Sequence, residues 1–415
     1  MIGFHFKNGQ WHSDGVPLAK IAEKTGTPAF VYSLPAFEAK WKEVDQAYRS
    51  VPHLVAYAMK ANGNLTVMNS LAKLGSGADT VSGGEIYLAL KAGVPADKII
   101  YAGVGKTDDE IAYALKEGIR YFNAESIPEI QAINEVARKM KKTAPLAVRF
   151  NPDVDPKTHH YITTGKKETK FGIYLGDVEK IMETVRECRN VHWTGVHAHI
   201  GSQMTQTNSV GKAAKVLESL VLLLRREGFP ITTVNLGGGY GIQYDHENAP
   251  GASRYASLVL PVIKRLNAQL ILEPGRFISG NSGVLLTRVI YVKKSGSKTF
   301  VIVDGGMGEL IRPALYEAFH RVAPVSGAQK GTQKVDVVGP ICESSDFFAK
   351  NRSLPPVKRG DLLVVFSAGA YGAVMGSTYN ARPLAPEIVT RGTGFHVARR
   401  RQTWQELSRL ESFSR

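Results

Sequence analysis

An α/β chain of two domains, a (β/α)8 barrel followed by a β domain, is what the sequence predicts, on three observations. Eight short β-branched or aromatic runs recur at intervals of about twenty to forty residues as far as Glu273. The stretches between most of them carry helical periodicity and caps. After Gly275 the pattern turns to short alternating strands with turn punctuation and no long helices.

In chain order, Phe4–Trp11 and Ala29–Tyr32 read as strands, so residues 1–32 are expected to cross over and pair with the C-terminal sheet. The barrel, 33–275, takes its strands from Leu54–Tyr57, Gly77–Thr80, Ile99–Tyr101, Ile119–Asn123, Leu146–Phe150, His192–His199, Thr233–Leu236 and Leu270–Glu273. Among its helices, Ser126-Ile-Pro-Glu129 supplies a cap that opens one to Lys142, and Ser209–Glu227 forms another that stops at Gly228. The β domain, 276–395, has strands at Val284–Lys293, Thr299–Val303, Gln333–Val338 and Asp361–Phe366. The tail, 396–415, with Ala398-Arg-Arg-Arg401 and a weakly amphipathic run to Leu410, reads as a surface helix and a frayed end. Lys60, Asp79, Asn123, Asn151, His199, Gly237 and Glu273 all fall at or just after strand C-termini, the rim where such barrels place their active sites.

The 415 residues are enough for two or three domains, and 43% apolar with 21% charged is globular composition, which excludes a stapled mini-scaffold, a disordered chain and a collagen. Two distant cysteines, Cys188 and Cys342, exclude a disulfide framework or a cysteine zinc site, and a reducing, cytoplasmic compartment is expected. Neither an export signal nor a membrane span is expected. The net charge of +15 admits nucleic acid or anionic small ligands. The basic clusters Arg138–Lys142, Lys293–Lys298 and Arg399–Arg401 are dispersed and lack interleaved aromatics, so they read as solvated faces and no nucleic-acid partner is expected.

Lys60, in Ala56-Tyr-Ala-Met-Lys-Ala-Asn62, ends an apolar strand, where an amine must find an anion or lose its charge; a nucleophilic amine and a strand-end lysine reaching solvent both fit. Asn235-Leu-Gly-Gly-Gly-Tyr-Gly241 follows the seventh strand, and its glycines let backbone N–H groups close around a phosphate; Glu273-Pro-Gly-Arg276 after the eighth strand supplies a second half to such a site. Glu273 suits a protonated pyridine nitrogen or a neighbouring Arg or Lys. His199 could join His197 on a metal, but no carboxylate or third ligand lies in the segment, and stacking on a flat cofactor is preferred, so no metal is expected. In the β domain, Arg312-Pro-Ala-Leu-Tyr316 offers a guanidinium and a phenol to a carboxylate, Cys342 sits beside Glu343, and Tyr371 occupies a small-residue loop within reach of a phosphate.

Lys60 in its Tyr-Ala-Met-Lys-Ala-Asn context, Gly83-Gly84-Glu85, His199-Ile-Gly-Ser-Gln203, the Gly237–Gly239 run, Glu273-Pro-Gly-Arg276, Arg312-Pro-Ala-Leu-Tyr316, Cys342-Glu343 and Gly369-Ala-Tyr371-Gly372, taken in this order, closely resemble the diaminopimelate decarboxylase family. These are pyridoxal 5'-phosphate enzymes of the alanine-racemase-like fold, and the resemblance spans nearly the whole chain. It implies that Lys60 holds the cofactor covalently, Glu273 pairs with the pyridine nitrogen and His199 stacks on the ring, with Asp79 and Ser202 in support. It places the phosphate against Gly237, Gly238, Gly239, the backbone of Gly275 and Arg276, and the Tyr371 hydroxyl. Arg276, Arg312, Tyr316, Glu343 and Tyr371 are implied to bind substrate, and Cys342 to donate the proton, with Cys342 and Glu343 supplied by the second subunit of a homodimer. The implied reaction is meso-2,6-diaminopimelate to L-lysine and carbon dioxide. A same-fold decarboxylase of the ornithine, arginine or carboxynorspermidine type is the alternative, and paired arginines beside a carboxylate count against it. A third alternative is a catalytically dead homologue, which would have no need to retain Lys60, Glu273, Arg312 and Cys342 together.

Overall fold

A computed structural model describes residues 2–152, 170–327, 329 and 333–413. The chain divides into two compact units: Ala39–Ile242 with Asn248–Phe277, and Met1–Glu38 with Gln243–Glu247 and Ile278–Arg415.

The first unit is a closed parallel barrel. Its strands are His53–Ala58, Gly77–Thr80, Ile99–Tyr101, Tyr121–Ala124, Ala144–Asn151, Val191–His197, Thr233–Asn235 and Gln269–Leu272. Closure is made by Leu270–Leu272 pairing in parallel with His53–Val55. Each of the eight predicted runs lies on one of these strands; Gly77–Thr80 and Ile99–Tyr101 coincide with theirs and the others are displaced by a residue or two at an end. Leu54, Ala56, Ile100, Tyr121, Ala147 and Ile271 fill the interior, with Leu54 and Ala56 two apart on one face as strand pleating requires. The Ser126 hydroxyl accepts the Glu129 N–H and starts helix Ile127–Lys139, which fixes the turn where the fourth strand ends. Thr107 and Glu110 form a reciprocal capping box on Asp108–Glu117. Caps of this kind hold the loops of the rim in register.

The second unit is mostly sheet. Its described strands run Phe347–Leu354, Gln333–Val338, Lys298–Val303, Gly283–Ser295, Ala29–Ser33, Glu387–Arg391 and Gly394–Arg399, with Leu362–Val365 and Val322–Pro324 branching from Gly283–Ser295. Ala29–Ser33 does join this sheet, antiparallel to Gly283–Leu286 and parallel to Glu387–Thr390. Phe4–Trp11 does not. It folds as two short strands, Phe4–Lys7 and Gln10–Ser13, of a separate antiparallel sheet completed by Val16–Pro17; Phe4, Trp11 and Val16 of this sheet pack into one core with Ala29, Val31, Val284 and Ile388 of the larger sheet, and a Gln10–Ser326 bridge and the Trp11 N–H to Val325 carbonyl bond tie its edge down. The expected tail helix is also corrected. Gly394–Arg399 is a strand paired to Glu387–Arg391, and among the described residues of the tail only Trp404–Leu407, capped by Thr403, is helical. The alternation of small and apolar residues through Gly394-Phe-His-Val-Ala-Arg399 fits a strand once a neighbour is present to pair with it.

Candidate active site

The barrel strands end in charge. Strand His53–Ala58 gives way to a single tight turn, Met59–Ala61, that carries Lys60 off the apolar strand and sets its Nζ 2.8 Å from Asp79 Oδ2. Asp79 lies opposite Ala58 on the next strand and is fully buried. Burial, and after it the Glu273 carboxylate, push Asp79 up to about 7 against the pull of Lys60. Glu273 follows the last strand. Its Oε1 accepts from Asn235 Nδ2 at 2.6 Å and Asn123 Nδ2 at 3.3 Å, and its Oε2 lies 3.4 Å from His197 Nε2. Burial would raise this carboxyl, but His197 first, then Lys60 and the Asn235 amide, hold it below the usual carboxylate range, so it is an anion.

His197 faces Glu273, and His199 lines the same cavity. The Gly238 N–H donates to His199 Nδ1 at 3.1 Å, and burial together with Arg149 and Lys60 holds the imidazole well below its ordinary pKa, so it is neutral. Among the described residues no cluster of three or more His, Cys, Asp and Glu could hold a metal. The glycine run needs its glycines: Gly237 and Gly239 have φ of +61° and +95°, and a Cβ on Gly238 would run into the Glu273 carbonyl oxygen. Gly275 is tight against Ala61, and Arg276 donates from Nε and Nη2 to Ser202 Oγ at 3.3 and 3.2 Å.

Lys60, Arg149, Phe171, His197, His199 and Glu273 are among the residues lining a cavity of about 420 Å³, a size ordinary for a small-molecule site. Sequence reasoning missed part of this wall. Arg149 Nη1 contacts both oxygens of Glu125 at 3.0 Å, its Nη2 donates to the His199 carbonyl, and its guanidinium lies 5.0 Å over the Phe171 ring. Glu125 also accepts N–H groups from Gly103 and Gly172, so one buried ion pair ties three rim segments together. Lys106, whose side chain is 1% exposed, donates to the Asn123 and Gly103 carbonyls and to Glu129. The available signal was positional: Glu125 and Arg149, like Lys60, sit at strand C-termini.

The sheet unit carries the remaining predicted residues. Arg312 opens the short helix Arg312–Tyr316 and is buried, its Nη1 2.9 Å from His320 Nε2 and its guanidinium 4.8 Å over the Tyr244 ring. Tyr316 is half-buried. Cys342 is a free, exposed thiol beside exposed Glu343, and its N–H donates to Asn380 Oδ1 at 2.7 Å. Buried Asp346 braces that loop by accepting the Ile341 and Met307 N–H groups, each at 2.6 Å. Tyr371 has a φ of +55°, a left-handed backbone that a tyrosine seldom adopts and that marks functional loops more often than passive ones.

The barrel residues fit pyridoxal phosphate. An amine, a buried carboxylate held ionised and a neutral imidazole line one cavity of suitable size, and Asp79 Oδ1 is buried without a hydrogen-bond partner among the described residues.

The family described as pyridoxal-dependent decarboxylase, pyridoxal binding domain, matches residues 34–280. The chain is 45% identical over 391 residues to a diaminopimelate decarboxylase of Neisseria meningitidis, covering 94% of each chain. It is 42% identical over 400 residues to one from Aquifex aeolicus, covering 96% of this chain and 95% of that one. A crystal structure of the M. jannaschii diaminopimelate decarboxylase in co-complex with L-lysine superposes with a TM-score of 0.94 at 36% identity, covering 100% of this chain and 98% of that one.

Proposed function

Because the chain belongs to the diaminopimelate decarboxylases, a branch of the pyridoxal-dependent decarboxylases, we propose the following division of labour among its residues. The protein is a carboxy-lyase that takes meso-2,6-diaminopimelate to L-lysine and carbon dioxide, with pyridoxal 5'-phosphate as cofactor. When bound, the cofactor supplies an electron sink for the pair left at Cα as the carboxylate departs.

Lys60 provides the amine that anchors the cofactor. Asp79, pushed up to about 7, accepts the proton that this amine sheds to become a nucleophile. Glu273, held below the usual carboxylate range by His197, Lys60 and the Asn235 amide, is the anion that holds a proton on the ring nitrogen. His199, neutral and anchored by Gly238, covers a face of the ring. Gly237, Gly238, Gly239, Ser202, the backbone of Gly275 and Arg276, and the Tyr371 hydroxyl bind the phosphate. Arg276, Arg312, Tyr316, Glu343 and Tyr371 grip the distal end of the substrate, where two cations and an acid suit a group bearing both carboxylate and ammonium. Cys342 returns a proton to Cα, and we assign Cys342 and Glu343 to the partner subunit of a homodimer working in the cytoplasm, where both cysteines stay reduced. The observation that carries this reading is the anionic Glu273 set in the wall of the cavity that Lys60 enters. Carbon dioxide release from meso-diaminopimelate, ornithine, arginine and lysine tests it. Release from the first alone is expected, and equal turnover of ornithine would move the protein to the polyamine-type enzymes.

A further inference from the structure

We propose that Asn235 is a positioning residue for the cofactor, the side chain that sets the Glu273 carboxylate in register with the phosphate-binding turn that begins at Gly237. The inference rests on the reading of Glu273 and of Gly237–Gly239 as the two poles of the cofactor site. Asn235 ends the barrel strand Thr233–Asn235, two residues before the glycine run, and is fully buried. An amide buried at a strand end has to find partners for its oxygen and for both of its hydrogens.

The hydrogen bonds fix the orientation of that amide. A backbone N–H only donates, so the atom 2.8 Å from the Gly237 nitrogen is the amide oxygen. An ionised carboxylate only accepts, so the atom 2.6 Å from Glu273 Oε1 is the amide nitrogen. One orientation meets both requirements. The second amide hydrogen goes to the buried Tyr121 hydroxyl at 3.0 Å. The backbone completes the frame: the Asn235 carbonyl accepts the Ala198 N–H at 2.9 Å, next to His199, and the Glu273 N–H donates to the Gly237 carbonyl at 2.8 Å. Asn123 Nδ2 also reaches Glu273 Oε1, at 3.3 Å, but among the described residues Asn235 is the side chain that bonds to both poles. Burial would raise the Glu273 carboxyl; His197 first, then Lys60 and then this amide hold it low, and the amide's donor is not a titrating group. The ring nitrogen and the phosphate of pyridoxal phosphate belong to one small, stiff molecule, so the carboxylate and the turn have to stand at a matching separation. A single planar amide bonded to both sets that separation before the cofactor arrives.

The test compares Asn235→Leu, Asn235→Asp, Glu273→Gln and the double variant Asn235→Leu/Glu273→Gln, each loaded with pyridoxal 5'-phosphate. Two quantities are measured: steady-state kinetics with meso-diaminopimelate at saturating cofactor, and the rate at which the loaded enzyme, diluted into cofactor-free buffer, releases its cofactor, followed by absorbance. Asn235→Leu has similar bulk without donor or acceptor. It should lower kcat roughly 10–100-fold, the effect of a lost hydrogen bond to a charged group, leave KM within about twofold, and release the cofactor about tenfold faster or more. Asn235→Asp keeps the acceptor and, through the proton that two adjoining carboxyl groups share, the donor, so at about pH 6 it should recover most of both losses. Glu273→Gln should lower kcat and retain the cofactor. Added to it, Asn235→Leu should change kcat by no more than about twofold, because Asn235 acts on turnover through Glu273, and should still speed release through Gly237. Equal kcat and release rates in the Leu and Asp variants, or a full multiplicative loss of kcat in the double variant, would overturn the proposal. If Asn235→Leu does not fold, Asn235→Ala replaces it and the same losses are expected. Normal kcat and release in Asn235→Leu beside an impaired Glu273→Gln removes the positioning role alone. An unchanged kcat in Glu273→Gln removes the role of Glu273 and this proposal with it.

Discussion

Lys60 stands on the turn beyond the apolar strand with its side chain 36% exposed and its Nζ on Asp79, so its loss should remove chemistry and spare folding. In Lys60→Ala the buried Asp79 loses a group that lowers its pKa and becomes protonated, a neutral state that the interior tolerates. Turnover and the visible absorbance of bound cofactor should vanish while the melting temperature stays within about 2 °C of the wild type, read by calorimetry. Glu309 bears on stability instead. Its Oε2 accepts the Gly306 N–H at 2.8 Å, and burial first, then Asp346 and Asp304, raise the carboxyl to about 7. A folded-state pKa above the unfolded value means that the folded chain binds the proton more tightly. The stabilisation is complete below about pH 4.5 and is lost as pH rises through about 7. Glu309→Gln keeps the acceptor without the charge and should flatten that decline, gaining on the order of 2–3 kcal/mol at pH 8 in urea unfolding. A pH profile parallel to the wild type would contradict this. Single residues were readable from sequence when charge broke an apolar run, as at Lys60 and Glu273. Glu309 was not, because nothing local distinguishes a carboxyl that tertiary packing will bury.

At the level of elements, the ion pair Glu125–Arg149 joins the ends of two neighbouring strands and, through Gly103 and Gly172, two loops. Arg149→Met leaves a buried carboxylate without its cation and should cost about 3–5 kcal/mol in denaturant unfolding, whereas adding Glu125→Leu should restore much of the loss. If the double variant is no more stable than Arg149→Met, the pair is not the source of the cost. The partners are 24 residues apart in sequence, and each alone looks like any surface charge, which is why the clasp escaped sequence reading. Barrel strands were legible because each is a short buried run that ends at polar rim residues. Phe347–Leu354 was not, for its Lys350, Asn351 and Arg352 are polar, Asn351 takes a φ of +50°, and its pairing with Gln333–Val338 shifts register. Val322–Pro324, three residues long, exists only through its pairing with Leu362–Val365.

For the whole molecule, the proposed sharing of Cys342 between subunits has an arithmetic consequence. Lys60→Ala and Cys342→Ala should each be nearly inactive when pure. Mixed in equal amounts and allowed to exchange, half of the dimers become hybrids, each with one site intact in both residues, so about one quarter of wild-type activity should return. A flat activity titration despite verified exchange would return Cys342 to its own chain. The sheet unit raises a different matter, that of timing. Ala29–Ser33, buried at every position, lies between Gly283–Ser295 and Glu387–Arg391, so it leaves the ribosome long before either neighbour has been made. At about 5–20 residues per second, the roughly 250 residues between it and its first partner take on the order of ten to fifty seconds to translate. Throughout that interval a five-residue apolar segment waits with both backbone edges open, a target for nascent-chain chaperones and for mispairing with other nascent chains. Ribosomes stalled after residue 282 should carry Phe30 in a protease-sensitive state, and protection should arrive only when residues 283–391 have emerged.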